Sequence, residues 1–272
     1  MRTAFTKKDL AVALICVLFL LMNLGAIGDS GRRRAKEIVC LSNLNQWGHF
    51  FADYTEANDG NFMGGQDGAG YWWPWQLEEQ YKDWKQNKTW FCPTATKPII
   101  DEKGNAARTL NIFTAWGIYK DSAIGYSAGP NGIAGSYGLN GHVLATNNPA
   151  PRGTRNISTV DNWRTPNVPG ASNIPLFTDA LRFDLWPWPE DAPADNEYAA
   201  WASSNLMSRC CINRHNGAVN YLFLDFSARK VGLKELWTLK WHRTFNTEGP
   251  WTLVGGVWPS DWPEWMRNFR DY

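Results

Sequence analysis

The chain has 272 residues, with 27 Lys+Arg against 26 Asp+Glu and a formal charge of +1. That length holds one large domain or two small ones, and the near-neutral balance supplies no electrostatic case for nucleic-acid binding. Seventeen tryptophans allow a large core with modest aliphatic content, because each indole buries a wide apolar area and carries one N–H that needs a partner. Trp beyond the needs of a core would line a subunit interface or a sugar-binding face.

Residues 1–9 are polar and basic, with Arg2, Lys7 and Lys8. Residues 10–27, LAVALICVLFLLMNLGAI, are apolar except for Asn23. At a rise of about 1.5 Å per residue this run spans about 27 Å of helix, enough for a hydrocarbon core. Backbone groups in lipid must be satisfied internally, so a helix is expected. Three readings compete: a cleaved secretory signal, with Ala26 and Gly28 as the small residues, a plain signal anchor, or a pilin-type anchor retained after a short leader is removed. The length of the run favours retention. Basic residues flank both ends, with Arg32, Arg33, Arg34 and Lys36 beyond the run, so the positive-inside rule leaves the topology open.

Residues 32–54 place Ala35, Ile38, Leu41, Leu44, Trp47, Phe51 and Tyr54 at three- and four-residue steps, the pattern of an amphipathic helix. Asn58-Asp59-Gly60 is its stop signal, since Asn and Gly tolerate the left-handed conformation that ends helices. Gly25, Gly28 and Gly31 weaken the join between the apolar and amphipathic halves, each by up to about 1 kcal/mol relative to Ala. A continuous rod from Phe5 to Asn58 would be about 80 Å long.

Gly64–Gly70 reads as a surface loop without the spacing of a phosphate cradle. Tyr71–Trp90 reads as a helix with Pro74 near its start, Thr89–Cys92 as a short strand, and 93–105 as loop. Leu110–Tyr119 and Gly135–Leu139 are expected strands, 147–170 a long loop, and Ile174–Ala180 a strand. The clearest strand is Ala218–Leu224, with Val219, Tyr221 and Phe223 on one face and Leu222 and Leu224 on the other. Ala228–Val231 returns beside it. Leu233–Trp241 has helical spacing, and residues 251–272, with Trp251, Trp258, Trp262 and Trp265, would cap the domain or offer an aromatic surface.

Several segments together resemble the type IV pilin and pseudopilin superfamily, and more narrowly the prepilin-type proteins with a C-terminal H-x9-D-G domain. Ala4-Phe5-Thr6 resembles the Gly-Phe-Thr processing site, and Asp9 stands where the family has Glu. RRAKEIVCLSNLNQWG, residues 33–48, resembles the basic-then-C-x-x-N-L-x-Q-x-G segment. Asn58-Asp59-Gly60, Phe91-Cys92-Pro93 and Ser136–Asn140 resemble the N-D-G, C-P and S-Y-G-x-N elements. His215, in Arg214-His215-Asn216-Gly217, is followed by nine residues and Asp225, but Phe226 replaces the expected Gly.

The resemblance implies an α+β fold: a long N-terminal helix, membrane half then amphipathic half, packed on an antiparallel β-sheet with long loops. The divisions are 1–9 leader, 10–27 transmembrane, 28–60 amphipathic continuation, and a Trp-rich ectodomain at 61–272 containing the hairpin 215–232. It implies a non-enzymatic subunit of a type II secretion or type IV pilus-like fibre, located as a single-pass inner-membrane protein with a periplasmic domain. Its partners would be other pilin-like subunits, met through the N-terminal helix, together with membrane lipid and a prepilin peptidase acting at Ala4-Phe5, with methylation. Asp9 would pair with a neighbour's amine at Phe5 in a low-dielectric fibre core. The rival readings are a membrane-anchored carbohydrate- or polymer-binding module and an envelope hydrolase.

His215 and Asp225 lie at opposite ends of the expected strand, more than about 20 Å apart, too far to act as an acid–base pair. They read as structural: His215 with Asn216-Gly217 fixes the strand start, and Asp225 holds the following turn by an Asx-type bond. That turn is expected at Asp225–Ala228 with ordinary backbone angles. Cys16 falls in the apolar run, leaving Cys40, Cys92, Cys210 and Cys211, which allow three pairings. A Cys40–Cys92 bridge is preferred because it would tie the long helix to the domain across about 50 residues, worth about 3–4 kcal/mol. Cys210, Cys211 and His215, with His142 or His242, match no zinc spacing. Asp53, Glu56, Asn58 and Asp59 lack the ligand order of a calcium loop. No metal, cofactor or catalytic motif is expected.

Overall fold

A 51-residue helix, α1 (Lys7–Ala57), opens the computed structural model, which describes residues 7–64, 73–98, 111–120, 127–128, 132–146, 159–197 and 205–272. Its length is about 77 Å, and it runs unbroken through Gly25, Gly28 and Gly31. The buried positions Cys40, Asn43, Leu44, Trp47, Gly48, Phe51 and Thr55 recur at three- and four-residue steps on its second half. Asp59 and Gly60 then turn left-handed, with φ of 55° and 77°. The Gly60 N–H closes the helix end on Thr55 O at 2.8 Å.

The expectation of a membrane half is not upheld. Among the described residues no helix is long and apolar enough to cross a membrane. Beyond Gly28, α1 exposes Asp29, Arg32, Arg33, Arg34 and Lys36. The transmembrane segment at 10–27, the single-pass inner-membrane location and the reading of the chain as a membrane-inserted prepilin are therefore corrected. Ala4 and Phe5 lie outside the described residues, as does the side chain of Asp9.

The single antiparallel sheet is corrected as well. Among the described residues two sheets are present, and each contains a parallel pair. In the first, β2 (Thr114–Lys120) is central, parallel to β1 (Lys97–Pro98) and antiparallel to β3 (Ser127–Ala128) and β4 (Ile133–Gly135). The second has the order β7-β5-β6-β8-β9, built from β5 (Tyr137–Asn140), β6 (Pro175–Asp179), β7 (Asp184–Leu185), β8 (Ala218–Phe223) and β9 (Ala228–Gly232). Its β5–β7 pair is parallel and its other pairs are antiparallel. In place of the helix expected at 71–90, the described part, 73–90, is a 3-10 turn at Trp73–Gln76, a short α2 (Glu79–Lys82) and another 3-10 turn at Lys88–Trp90. Leu233–Thr238 is also 3-10.

β8 is buried along its whole length and separates two cores. Leu222 and Leu224 join α1 and the Trp-rich layer. Val219, Tyr221 and Phe223 join the opposite core, with Trp237, Trp241 and the tail residues Trp262 and Met266. At Gly48 an added Cβ would meet Leu222 Cδ1 at 3.0 Å and Phe226 O at 3.2 Å, so this glycine lets α1 lie close against the β8–β9 turn. That turn departs from expectation: Phe226 has φ 63°, so a bulky residue takes the left-handed angle that glycine favours. Asp225 Oδ1 holds it by accepting from Ser227 N at 3.0 Å and Ser227 Oγ at 2.7 Å.

The first core is an aromatic lattice. Trp73 and Trp90 stack at 5.7 Å, and Trp47 meets both edge-on. Buried indoles place their N–H on backbone carbonyls: Trp47 on Thr89 O, Trp73 on Phe183 O, Trp90 on Tyr81 O and Trp116 on Tyr137 O. These bonds explain how a core can hold so many polar tips. Trp47→Ala removes a ring that is 4% exposed and should cost about 3–5 kcal/mol in urea unfolding. Trp258→Ala, at a ring 71% exposed, should change stability by less than about 0.5 kcal/mol.

Candidate metal centre

Four residues far apart in sequence converge beneath α1. Cys40 Sγ, Cys92 Sγ, a carboxylate oxygen of Asp179 and a ring nitrogen of His215 all lie within 4.8 Å of one another, and all four residues are buried. Each arrives by its own local logic. Cys40 is on the buried face of α1. From the same face Asn43 Nδ2 donates to Phe91 O at 2.9 Å, and Trp47 Nε1 donates to Thr89 O at 3.0 Å. Those two bonds clamp residues 89–91 to the helix and bring Cys92 beside Cys40. The Cys92 N–H donates to Ser136 Oγ at 2.5 Å.

Asp179 is the last residue of β6. His215 precedes a tight turn in which Asn216 and Gly217 have φ of 53° and 76° and the His215 N–H reaches Ala218 O at 3.1 Å. Two successive left-handed residues are the Asn-Gly hairpin turn. It delivers the chain into β8 with His215 at the sheet edge nearest Asp179.

The internal distances are short. His215 Nε2 is 3.1 Å from Asp179 Oδ2, Cys92 Sγ is 3.5 Å from His215 Nε2, and Cys40 Sγ is 3.5 Å from Asp179 Oδ2. Tyr137 OH lies 3.3 Å from Cys40 Sγ. Arg214 Nη1 binds the other oxygen, Asp179 Oδ1, at 3.1 Å, with both side chains fully buried. The Asn220 N–H donates to Asp179 Oδ2 at 3.2 Å.

The electrostatics follow from this packing. Burial opposes the charged form of Asp179, but His215 and Arg214 outweigh it and hold the carboxyl well below the usual range. Burial likewise opposes a charged His215, and Asp179 overrides it, raising the imidazole to about 10. Cys40 is pushed well above the ordinary thiol value, chiefly by burial. For Cys92, burial pushes the same way but is outweighed by the Cys40 hydrogen bond and by His215, which bring the thiol down to about 6. An anionic sulfur is thus favoured at Cys92, beside a cationic ring and an ionised carboxylate.

Arg214 and His215 also contribute to the wall of a groove of about 600 Å³ whose α1 side carries Arg33, Arg34 and Lys36, with Lys230 from β9.

The Cys40 and Cys92 sulfurs lie within 4.8 Å of each other but are not bridged; both are free thiols. Cys210 and Cys211 sit in the other core, against Met207 and Met266, apart from His215. Asp225 holds its turn and takes no part in the cluster. Asp179 went unnoticed in the sequence; the only hint is an acid closing an otherwise apolar strand, IPLFTDA. Compared with protein-family models, curated proteins and solved structures, the chain matches none of them.

Arg214→Met would strand the buried Asp179 carboxylate and should cost about 3–5 kcal/mol in urea unfolding. Arg214→Lys should recover little of it, because an ammonium cannot reproduce the planar fork.

Proposed function

We propose that this chain is a non-enzymatic structural subunit, pilin-like in build, which assembles into a fibre of the type IV pilus kind through the N-terminal part of α1. The observation that carries the reading is the contrast along one helix. From Cys40 onward α1 is docked on the head, whereas residues 11–19 are exposed at every position. Val12, Leu14, Ile15, Val17 and Leu18 are each more than half exposed. A helix apolar all round is stable only when buried all round, and covering it recovers about 25 cal/mol per Å² of apolar surface. Several neighbouring helices satisfy that need, whereas a single partner covers only one stripe. Copies of the same helix, related by a rotation that does not close, give a filament.

The arrangement of tryptophan counts against a sugar-binding module. Among the described tryptophans with assigned exposure, Trp258 alone is exposed, so no aromatic groove lies open to a polymer there. The His215–Asp179 pair, the nearest thing to an acid–base couple, is enclosed, which argues against a hydrolase.

Sedimentation of the full chain in detergent-free buffer tests the reading. Large assemblies are expected for the unaltered chain. An Ile15→Glu, Leu18→Glu double variant should sediment as a monomer with unchanged near-ultraviolet circular dichroism. An unaltered chain that stays monomeric at micromolar concentration would rule the proposal out.

A further inference from the structure

We propose that Cys40, Cys92, Asp179 and His215 form a closed, structural zinc site that fastens α1 to the head. In tetrahedral zinc, with Zn–S about 2.3 Å and Zn–N or Zn–O about 2.0–2.2 Å, neighbouring ligand atoms lie about 3.3–3.8 Å apart. The Cys92–His215 and Cys40–Asp179 separations, both 3.5 Å, fall in that range, and the His215–Asp179 separation of 3.1 Å is slightly shorter. All four ligand atoms lie within 4.8 Å of one another.

Charge is compatible with the ion: once zinc displaces the protons of Cys40, Cys92 and His215, two thiolates and one carboxylate carry three negative charges, matched by Arg214 at Asp179 Oδ1 and the divalent cation. Thiolate and imidazole ligands select zinc over magnesium or calcium, which take oxygen. The surroundings have the form of an orienting outer shell: Arg214 and the Asn220 N–H fix the carboxylate, Tyr137 OH reaches the Cys40 sulfur, and Ser136 Oγ holds the Cys92 backbone. Such partners fix ligand orientation and tune affinity. With four protein ligands the ion keeps no open position, which is the structural and not the catalytic arrangement. The ligands come from α1, the loop after the second 3-10 turn, the end of β6 and the turn before β8, so the ion would cross-link four segments. The site does not depend on self-association through α1.

The test is elemental analysis of the full chain purified without a metal-affinity step, with peptide mapping of its thiols. One zinc per chain is expected. It should be retained in Cys16→Ser, whose thiol is exposed outside the cluster, and weakened about tenfold or more in Cys92→Ser and Asp179→Asn. Because either of those variants can lose its fold, the unaltered chain is also stripped with chelator and titrated with cobalt(II). Tetrahedral d–d bands with a thiolate-to-cobalt charge-transfer band, both erased by added zinc, are expected. A folded chain that holds no zinc and gives no such spectrum overturns the site, as does a Cys40–Cys92 disulfide in the chain as purified.

Discussion

The head is held in register by one guanidinium. Arg214 has five N–H donors in a fixed plane, and each has a partner. Nε donates to Ile112 O, Nη1 to Ser136 O and Asp179 Oδ1, and Nη2 to Thr114 O and Ala180 O. Those acceptors lie at the start of β2, between β4 and β5, and at the end of β6, so one side chain pins the first sheet to the second. Burying a charge costs several kcal/mol even after relaxation. That cost is offset only because no donor is wasted and Asp179 neutralises the group at zero exposure. A hydrophobic residue in its place would take this donor from the carbonyls of Ile112, Thr114 and Ala180 and from Asp179 Oδ1, whereas Ser136 O keeps the Ala180 N–H.

Asp179 transmits this constraint to α1. Arg214 takes one carboxylate oxygen and His215 the other, although the two are neighbours in sequence. The Asn216-Gly217 turn makes this possible by halting the chain so that His215 stays beside β6 while β8 departs. Through the same oxygen Asp179 meets Cys40, and through His215 it meets Cys92. Sheet junction, helix and Cys92 loop therefore share one buried polar centre. In a low-dielectric interior a network of this kind is stabilising only when all its members are satisfied together.

What was legible in the sequence was periodic or local. The stripe of α1 from Leu44 to Phe51, the Asn-Asp-Gly stop, the two faces of β8 and the Asx turn at Asp225 depend on neighbours a few residues away. Within 73–90 the aromatic spacing suits a helix, whereas the described rings of Trp73 and Trp90 pack against Trp47 from short 3-10 turns. Phe226 adopts a left-handed angle because its ring packs against the α1 core, a tertiary gain invisible in a dipeptide. The cluster was illegible for a different reason. Cys40, Cys92, Asp179 and His215 are separated by 51, 86 and 35 intervening residues, so no spacing rule for metal ligands applies. Asp225 is the carboxylate nearest His215 in the motif, whereas its carboxylate partner in space, Asp179, ends the strand next door.

Position gives the cluster its mechanical meaning. Val39 is exposed and Cys40 is the first fully buried side chain along the described part of α1, so the helix leaves the head at this residue. Any force on residues 11–19 acts there with a lever arm of about 30–40 Å. The other restraints near that point are modest. Lys230 pairs with Glu37 at 2.8 Å, but both groups are partly solvated, and such pairs contribute at most about 1 kcal/mol. Asn220 Nδ2 adds one hydrogen bond to Glu37 O at 3.2 Å. Hydrophobic contact farther along, at Leu44, Trp47 and Phe51, resists separation but is non-directional and does little to fix an angle. A directional bond is needed where the helix emerges, and Cys40 is the residue that can supply it. On the proposed assembly, any error in that angle would carry into every head, so the proposed coordinate tie is placed at this residue and not deeper in the core.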